Sequence, residues 1–245
     1  FISVTATDSA GNISSLTYQT LTIDTTAPTI SGLTIVSNNS TNTLAKANDE
    51  VTLIITTNET ISTPSVTFTS GSASINDSSI TYTGSGTSWT AKYTVHSSDT
   101  DGAVAVSVTV TDSSGNQTTS NSFTPITGFV SVDTTAPTIS TYSPTKGGIL
   151  SSNSDNIILT FNETVKAGIG NIILTPNSGS EITIDVTDNS LVTFNSNICT
   201  INPSSNLSPS GLTYTVTMAS GVIKDNTEND FAGISGTTYQ FNSKD

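Results

Sequence analysis

The chain has almost no cysteine, histidine or positive charge. Its 245 residues include one cysteine, one histidine, six lysines and no arginine against nineteen acidic residues, which gives a net charge of −13. A lone cysteine cannot form an internal disulfide, so the chain suits either a secreted bacterial-type repeat protein or a cytosolic one. A surface of this sign repels nucleic acid and anionic membranes but attracts cations.

Long apolar runs are also missing. No stretch is long enough to span a bilayer and no signal peptide is visible, so we expect any export signal or anchor to lie outside this sequence. Serine and threonine supply about a third of the residues, and aromatic residues only 6%. Threonine favours strands while Gly, Asn, Asp and Ser favour turns, which predicts an all-β chain.

One stretch occurs twice and organises the rest. Asp-Thr-Thr-Ala-Pro-Thr-Ile stands at 24–30 and again at 133–139, so Asp24 and Asp133 are 109 residues apart. Proline fixes φ and holds the preceding alanine extended, which suits a short stiff linker. A period of this length is close to the size of one β-sandwich domain. We therefore predict a tandem array with domains at 24–132 and 133–245, and the last hairpin of a preceding domain at 1–23.

Alternating apolar residues support this division, because residues two apart point to one face of a strand. In 1–23 two strand-like runs, Phe1 to Thr7 and Leu16 to Ile23, flank the turn at 8–12. The middle domain offers about seven strands, the count of an immunoglobulin-like sandwich. The alternating apolar positions of the middle domain are Val51, Leu53, Ile55, Val104, Val106, Val108 and Val110. Those of the last domain are Ile157, Leu159, Phe161, Tyr214, Val216 and Met218.

Several motifs together resemble a known family. The middle domain carries Asn-Glu-Thr-Ile at 58–61, Trp-Thr-Ala-Lys-Tyr-Thr-Val at 89–95 and Thr-Asp-Ser-Ser-Gly-Asn at 111–116. With the two linkers, these resemble the bacterial immunoglobulin-like repeats of very large surface adhesins. The last domain, through Leu-Thr-Phe-Asn-Glu-Thr-Val at 159–165 and Leu-Thr-Tyr-Thr-Val at 212–216, resembles the related domain of S-layer and adhesin proteins. The resemblance implies Greek-key β-sandwiches joined by Asp-Thr-Thr-Ala-Pro linkers.

The topology of such a sandwich brings acidic loops together. The loop after the second strand and the loop between the last two strands both lie at the linker end, and the loop before the penultimate strand lies at the far end. This predicts two groups of carboxylates, one at each linker: Asp24, Glu59 and Asp112, then Asp133, Glu163 and Asp225, with Asp99 and Asp101 approaching Asp133 from across the joint. Ca²⁺ takes six to eight oxygen ligands in irregular geometry, so we predict calcium at both joints. The alternative is that these are ordinary turn-forming Asp and Asn residues.

Catalysis has no comparable support. His96 falls on the outward phase of its strand with no recognisable nucleophile turn, and Cys199 has no activating partner in sequence, so we predict that it packs as a small apolar side chain. Glycoside hydrolysis would need an aromatic-lined cleft, whereas Trp89 lies on a core phase. We expect no enzyme activity.

Three functions remain open. The first is a structural extender in a bacterial cell-surface or extracellular protein, stiffened by calcium, whose partners are neighbouring domains of the same chain or of identical subunits. The second is a filament or surface layer in which the hairpin at 1–23 completes another subunit's sandwich by strand addition. The third is a spacer or carbohydrate-binding appendage of a secreted enzyme.

Overall fold

The computed structural model describes residues 2–14, 17–19, 22–77, 79–121, 126–203, 207–208 and 211–245. Across these ranges it is built of strands and turns, and none of it forms an apolar helix able to cross a membrane. The first two strands, β1 (Ile2–Val4) and β2 (Thr17–Gln19), pair antiparallel as a hairpin. Phe1 and Leu16, the predicted first residues of these strands, lie outside the described residues.

The next eleven strands form a first sandwich. They are β3 (Ile30–Ser37), β4 (Leu44–Ala45), β5 (Glu50–Thr57), β6 (Ser65–Ser70), β7 (Ala73–Ser74), β8 (Thr81–Ser85), β9 (Ser88–Thr94), β10 (Gly102–Thr111), β11 (Gln117–Ser120), β12 (Ile126–Thr127) and β13 (Ser131–Val132). One sheet has the order β12-β3-β5-β9-β8 and the other β4-β13-β10-β6-β7, with β11 on β10. The chain crosses between sheets after β5 and after β9, which is the Greek-key connection of immunoglobulin-like sandwiches.

Ten further strands form a second sandwich. They are β14 (Ile139–Ser143), β15 (Ile157–Phe161), β16 (Val165–Ala167), β17 (Asn171–Pro176), β18 (Ile182–Asp185), β19 (Val192–Asn195), β20 (Ile198–Ile201), β21 (Thr213–Met218), β22 (Ile223–Asp225) and β23 (Gln240–Asn242). Its sheets have the orders β14-β15-β20-β19 and β18-β17-β21-β23, and β16 pairs with β22. The protein is therefore all β, with tandem immunoglobulin-like sandwiches.

Each sandwich buries its own apolar core. In β10 the four alternating valines at 104, 106, 108 and 110 are buried, as the sequence pattern predicts. In the second sandwich Ile157, Leu159 and Phe161 are buried in the same way along β15. Burial of one face of strands such as β10 and β15 fixes their register, because a shift by one residue would expose the whole apolar set.

The end of the first sandwich is divided among short strands. The segment after Asp112 splits into β11, β12 and β13, of which β12 pairs parallel with β3 in the opposite sheet. Gly128 follows β12 with a φ of +86°, and a Cβ there would lie 2.6 Å from the carbonyl oxygen of Ile35. Only glycine accommodates this close crossing.

Candidate metal centres

The loop that follows β10 in the first sandwich and the loop that follows β22 in the second are each built around one aspartate. Asp112 accepts hydrogen bonds from the backbone N–H groups of Ser114 at 2.8 Å and Asn116 at 2.9 Å, and from the Asn116 side chain at 2.9 Å. Asp225 accepts the same two bonds from Asn229, each at 2.8 Å. These bonds fix the direction of a carboxylate that still has free lone pairs.

The same loop holds the linker. The Asn116 side chain donates to the carbonyl of Asp24 at 3.1 Å, and Asn229 donates to the carbonyl of Asp133 at 2.9 Å. Asp24 is thus fixed beside Asp112, and Asp133 is fixed beside Asp225.

The Asn-Glu-Thr loops complete the arrangement. Asn58 accepts a hydrogen bond from the N–H of Thr29 at 2.6 Å, and Asn162 accepts the equivalent bond from Thr138 at 2.6 Å. The glutamate that follows each asparagine is thereby brought to the linker. Sequence reasoning selected the glutamates and missed the asparagines, although the repeated Asn-Glu-Thr triplet was the available signal.

Two groups of three carboxylates result. Asp24, Glu59 and Asp112 form one, and Asp133, Glu163 and Asp225 form the other. Within each group one oxygen from every residue lies within 4.8 Å of the others. Asp112 and Asp225 are buried, at 5% and 1% exposure. Three anions at such distances repel one another unless a proton or a cation intervenes.

In the second group this repulsion contributes to the raised pKa values of two carboxyl groups. Burial raises the pKa of Glu163 to about 7, and the charges of Asp133 and Asp225 add to the rise. Burial also raises the pKa of Asp133, with Asp225 and Asp101 contributing. Glu163 is therefore poised to bind a proton or a cation near neutral pH.

Asp101 reaches the second joint from the first sandwich. Its carboxylate accepts hydrogen bonds from the Thr134 N–H at 2.7 Å and the Thr135 hydroxyl at 2.5 Å. Although partial burial acts in the opposite direction, these bonds lower the pKa of Asp101. Asp101 therefore holds the linker and adds negative charge next to the group at Asp133.

Asp99 reaches the linker beside Asp133 through its backbone, because its carbonyl oxygen accepts a hydrogen bond from the Thr134 hydroxyl at 3.4 Å. Asp99 is 4% exposed, and its carboxylate accepts bonds from the backbone N–H groups of Asn76 at 2.7 Å and His96 at 3.0 Å. Asp99 therefore directs its carboxylate to backbone groups of the first sandwich. Its side chain is absent from both carboxylate groups in the described part of the chain.

The remaining candidates have structural surroundings. His96 is exposed. Cys199 is fully buried in the core of the second sandwich, and burial raises the pKa of its thiol to about 12. Trp89 is half-buried against the core of the first sandwich.

Comparison with known proteins agrees with the fold. Residues 133–243 match the model of a family described as bacterial Ig-like domain. A search of curated proteins gave no match. Among solved structures, an I-band fragment of titin has a TM-score of 0.46 at 11% identity, covering 90% of this chain and 66% of that chain.

A second solved structure is that of a bacterial adhesin, described as a "Ca2+-stabilized adhesin" that "helps an Antarctic bacterium reach out and bind ice". It has a TM-score of 0.37 at 18% identity and covers 99% of this chain and 56% of that chain. The chain therefore spans just over half the length of that adhesin structure.

Proposed function

We propose that this chain, whose residues 133–243 match the bacterial Ig-like domain family, is a non-catalytic extender segment of a bacterial cell-surface or extracellular protein. Its domains run from 24 to 132 and from 133 to 245, after the hairpin of a preceding domain at 1–23. The role we assign to them is to hold neighbouring domains in line and so project a distal part of the protein. The observation that carries the proposal is the recurrence of one carboxylate group at each linker.

Calcium is the ion that these residues fit. Each group offers three carboxylates from three separate segments, all of them oxygen donors, and neither contains the histidine or cysteine that transition metals favour. In this proposal Asp24, Glu59 and Asp112 hold one ion, and Asp133, Glu163 and Asp225 hold the other. Each ion would join the linker to two loops of the sandwich that follows it, which removes the hinge freedom of a small inter-domain interface.

Isothermal titration of the full chain with CaCl₂ tests the proposal. We expect two binding events per chain, with Glu59→Gln abolishing one and Glu163→Gln the other. Glu181→Gln is the matched control, because Glu181 is exposed and lies outside both groups. Absence of calcium heat in the wild-type chain, or unchanged binding in both group variants, would overturn the assignment.

A further inference from the structure

The second joint contains a direct contact between the two sandwiches that does not involve its carboxylate group. The Lys46 ammonium donates to the carbonyl oxygen of Glu228 at 2.8 Å, and the Asn39 side chain donates to the carbonyl of Thr227 at 3.1 Å. Lys46 and Asn39 lie between β3 and β5 of the first sandwich. Thr227 and Glu228 lie in the loop at 225–229 of the second.

The two donors are held in position before they meet this loop. Asp49 accepts the Asn39 side-chain N–H at 2.7 Å and the Lys46 backbone N–H at 2.9 Å. One carboxylate therefore orders the segment that carries both donors. A contact made by preorganised groups loses less conformational entropy when it forms.

Burial shows that the first sandwich covers this loop. Thr227 is 3% exposed, whereas Ser114, two residues after Asp112 as Thr227 is after Asp225, is exposed. Gly115 is exposed as well, while its counterpart Glu228 is half-buried. Thr227 and Glu228 are therefore covered by the segment that carries Asn39 and Lys46.

Glu228 is the residue that distinguishes the covered loop. Its φ is +75°, at the position where the loops at 8–12 and 112–116 have Gly11 and Gly115 with φ of +82° and +91°. This left-handed backbone disfavours any residue but glycine. Glu228 therefore strains the backbone, and the ion pairs of its carboxylate offset that strain.

Two lysines pair with that carboxylate, and a third, Lys46, contacts the backbone carbonyl of the same residue. Lys166 contacts it at 2.5 Å and Lys224 at 3.9 Å, both from the second sandwich. The hydrogen bond from Lys166 is the largest cause that lowers the pKa of Glu228, and the charge of Lys46 contributes from across the joint. In a chain with a net charge of −13, three of six lysines at one glutamate is a concentrated charge pairing.

We propose that the loop at 225–229 is a docking surface for a preceding sandwich that carries lysine and asparagine at the positions of Lys46 and Asn39. The Lys46 hydrogen bond goes to the Glu228 backbone, and the Glu228 carboxylate adds an electrostatic attraction to the same ammonium group. The contact holds the second joint without a bound cation.

Spin-label distance measurements in EDTA test this inference apart from the calcium proposal. Labels on Thr83→Cys and Thr193→Cys, both exposed, report one distance across the second joint, and the buried Cys199 does not react. We expect Lys46→Ala and Glu228→Gly each to broaden the distance distribution about twofold. Lys92→Ala is the control, because Lys92 pairs with Glu50 at 2.7 Å within the first sandwich.

The outcomes separate the two proposals. Circular dichroism melts should show both sandwiches folded in every variant, since the changed side chains lie outside the cores. A wild-type width in EDTA for either Lys46→Ala or Glu228→Gly overturns the docking surface. A width that calcium leaves unchanged in the wild-type chain and both variants counts against the calcium proposal alone.

Discussion

At the residue scale, the structure separates acids that share a joint from an acid that closes a loop. Glu163 and Asp225 could be placed at the linker from sequence, because each follows a strand that must end there. The direction of the Asp99 carboxylate could not be predicted, because whether it faces the linker or backbone groups of its own sandwich depends on backbone directions that alternation does not specify. Lys46 gave no signal either, since its partner is a backbone carbonyl 182 residues away.

Titration of Glu163 gives a prediction at this scale. Its folded pKa of about 7 lies above the ordinary value of 4.5, so the folded state binds the proton more tightly. Without calcium, the contribution of Glu163 to the free energy of unfolding should be largest below pH 4.5 to 5. That contribution should fall as the pH rises through 7. The free energy of unfolding should fall by about 1–2 kcal/mol. This is less than the full pKa shift of Glu163 would give, because its side chain is partly solvated.

Urea unfolding in EDTA between pH 5 and pH 8 measures that loss. Glu163→Gln should remove most of it, while Glu181→Gln should leave it intact. A wild-type stability that rises across this range would contradict the repulsion among Glu163, Asp133 and Asp225.

At the element scale, strand identity followed from alternation but strand pairing did not always follow. The valines of β10 predicted its buried face correctly, because period-2 burial is a local property. The excursion of β12 to the opposite sheet was missed, since it depends on a close crossing with β3 that no single segment encodes. Gly128 marks that crossing only once the partner is known.

Two glycines with similar φ allow a prediction about these elements. Gly115 has a φ of +91° and open space where a Cβ would be, so Gly115→Ala should cost about 1 kcal/mol from backbone strain alone. Gly128 has a φ of +86°, and its Cβ would also meet the Ile35 carbonyl at 2.6 Å. Gly128→Ala should therefore destabilise the first sandwich by several times more, on the order of 3 kcal/mol.

Chemical denaturation of both alanine variants checks the comparison. Equal losses would mean that β12 does not pack against β3 as described. A negligible loss for Gly115→Ala would contradict the left-handed turn after Asp112.

At the scale of the whole molecule, the sequence repeat predicted the tandem sandwiches because a repeated linker and two alternating patterns are visible without coordinates. The repeat also placed one carboxylate group at each linker. It did not predict the direct contact across the second joint. That contact depends on Asn39 and Lys46 of the first sandwich, which donate to backbone carbonyls of the loop at 225–229.

Crystals of the wild-type chain grown with CaCl₂, measured for anomalous scattering, test the central claim most directly. The account predicts one peak among Asp133, Glu163 and Asp225 and another among Asp24, Glu59 and Asp112, each about 2.3–2.6 Å from the carboxylate oxygens. Well-ordered carboxylates at both positions with no anomalous peak between them would contradict it.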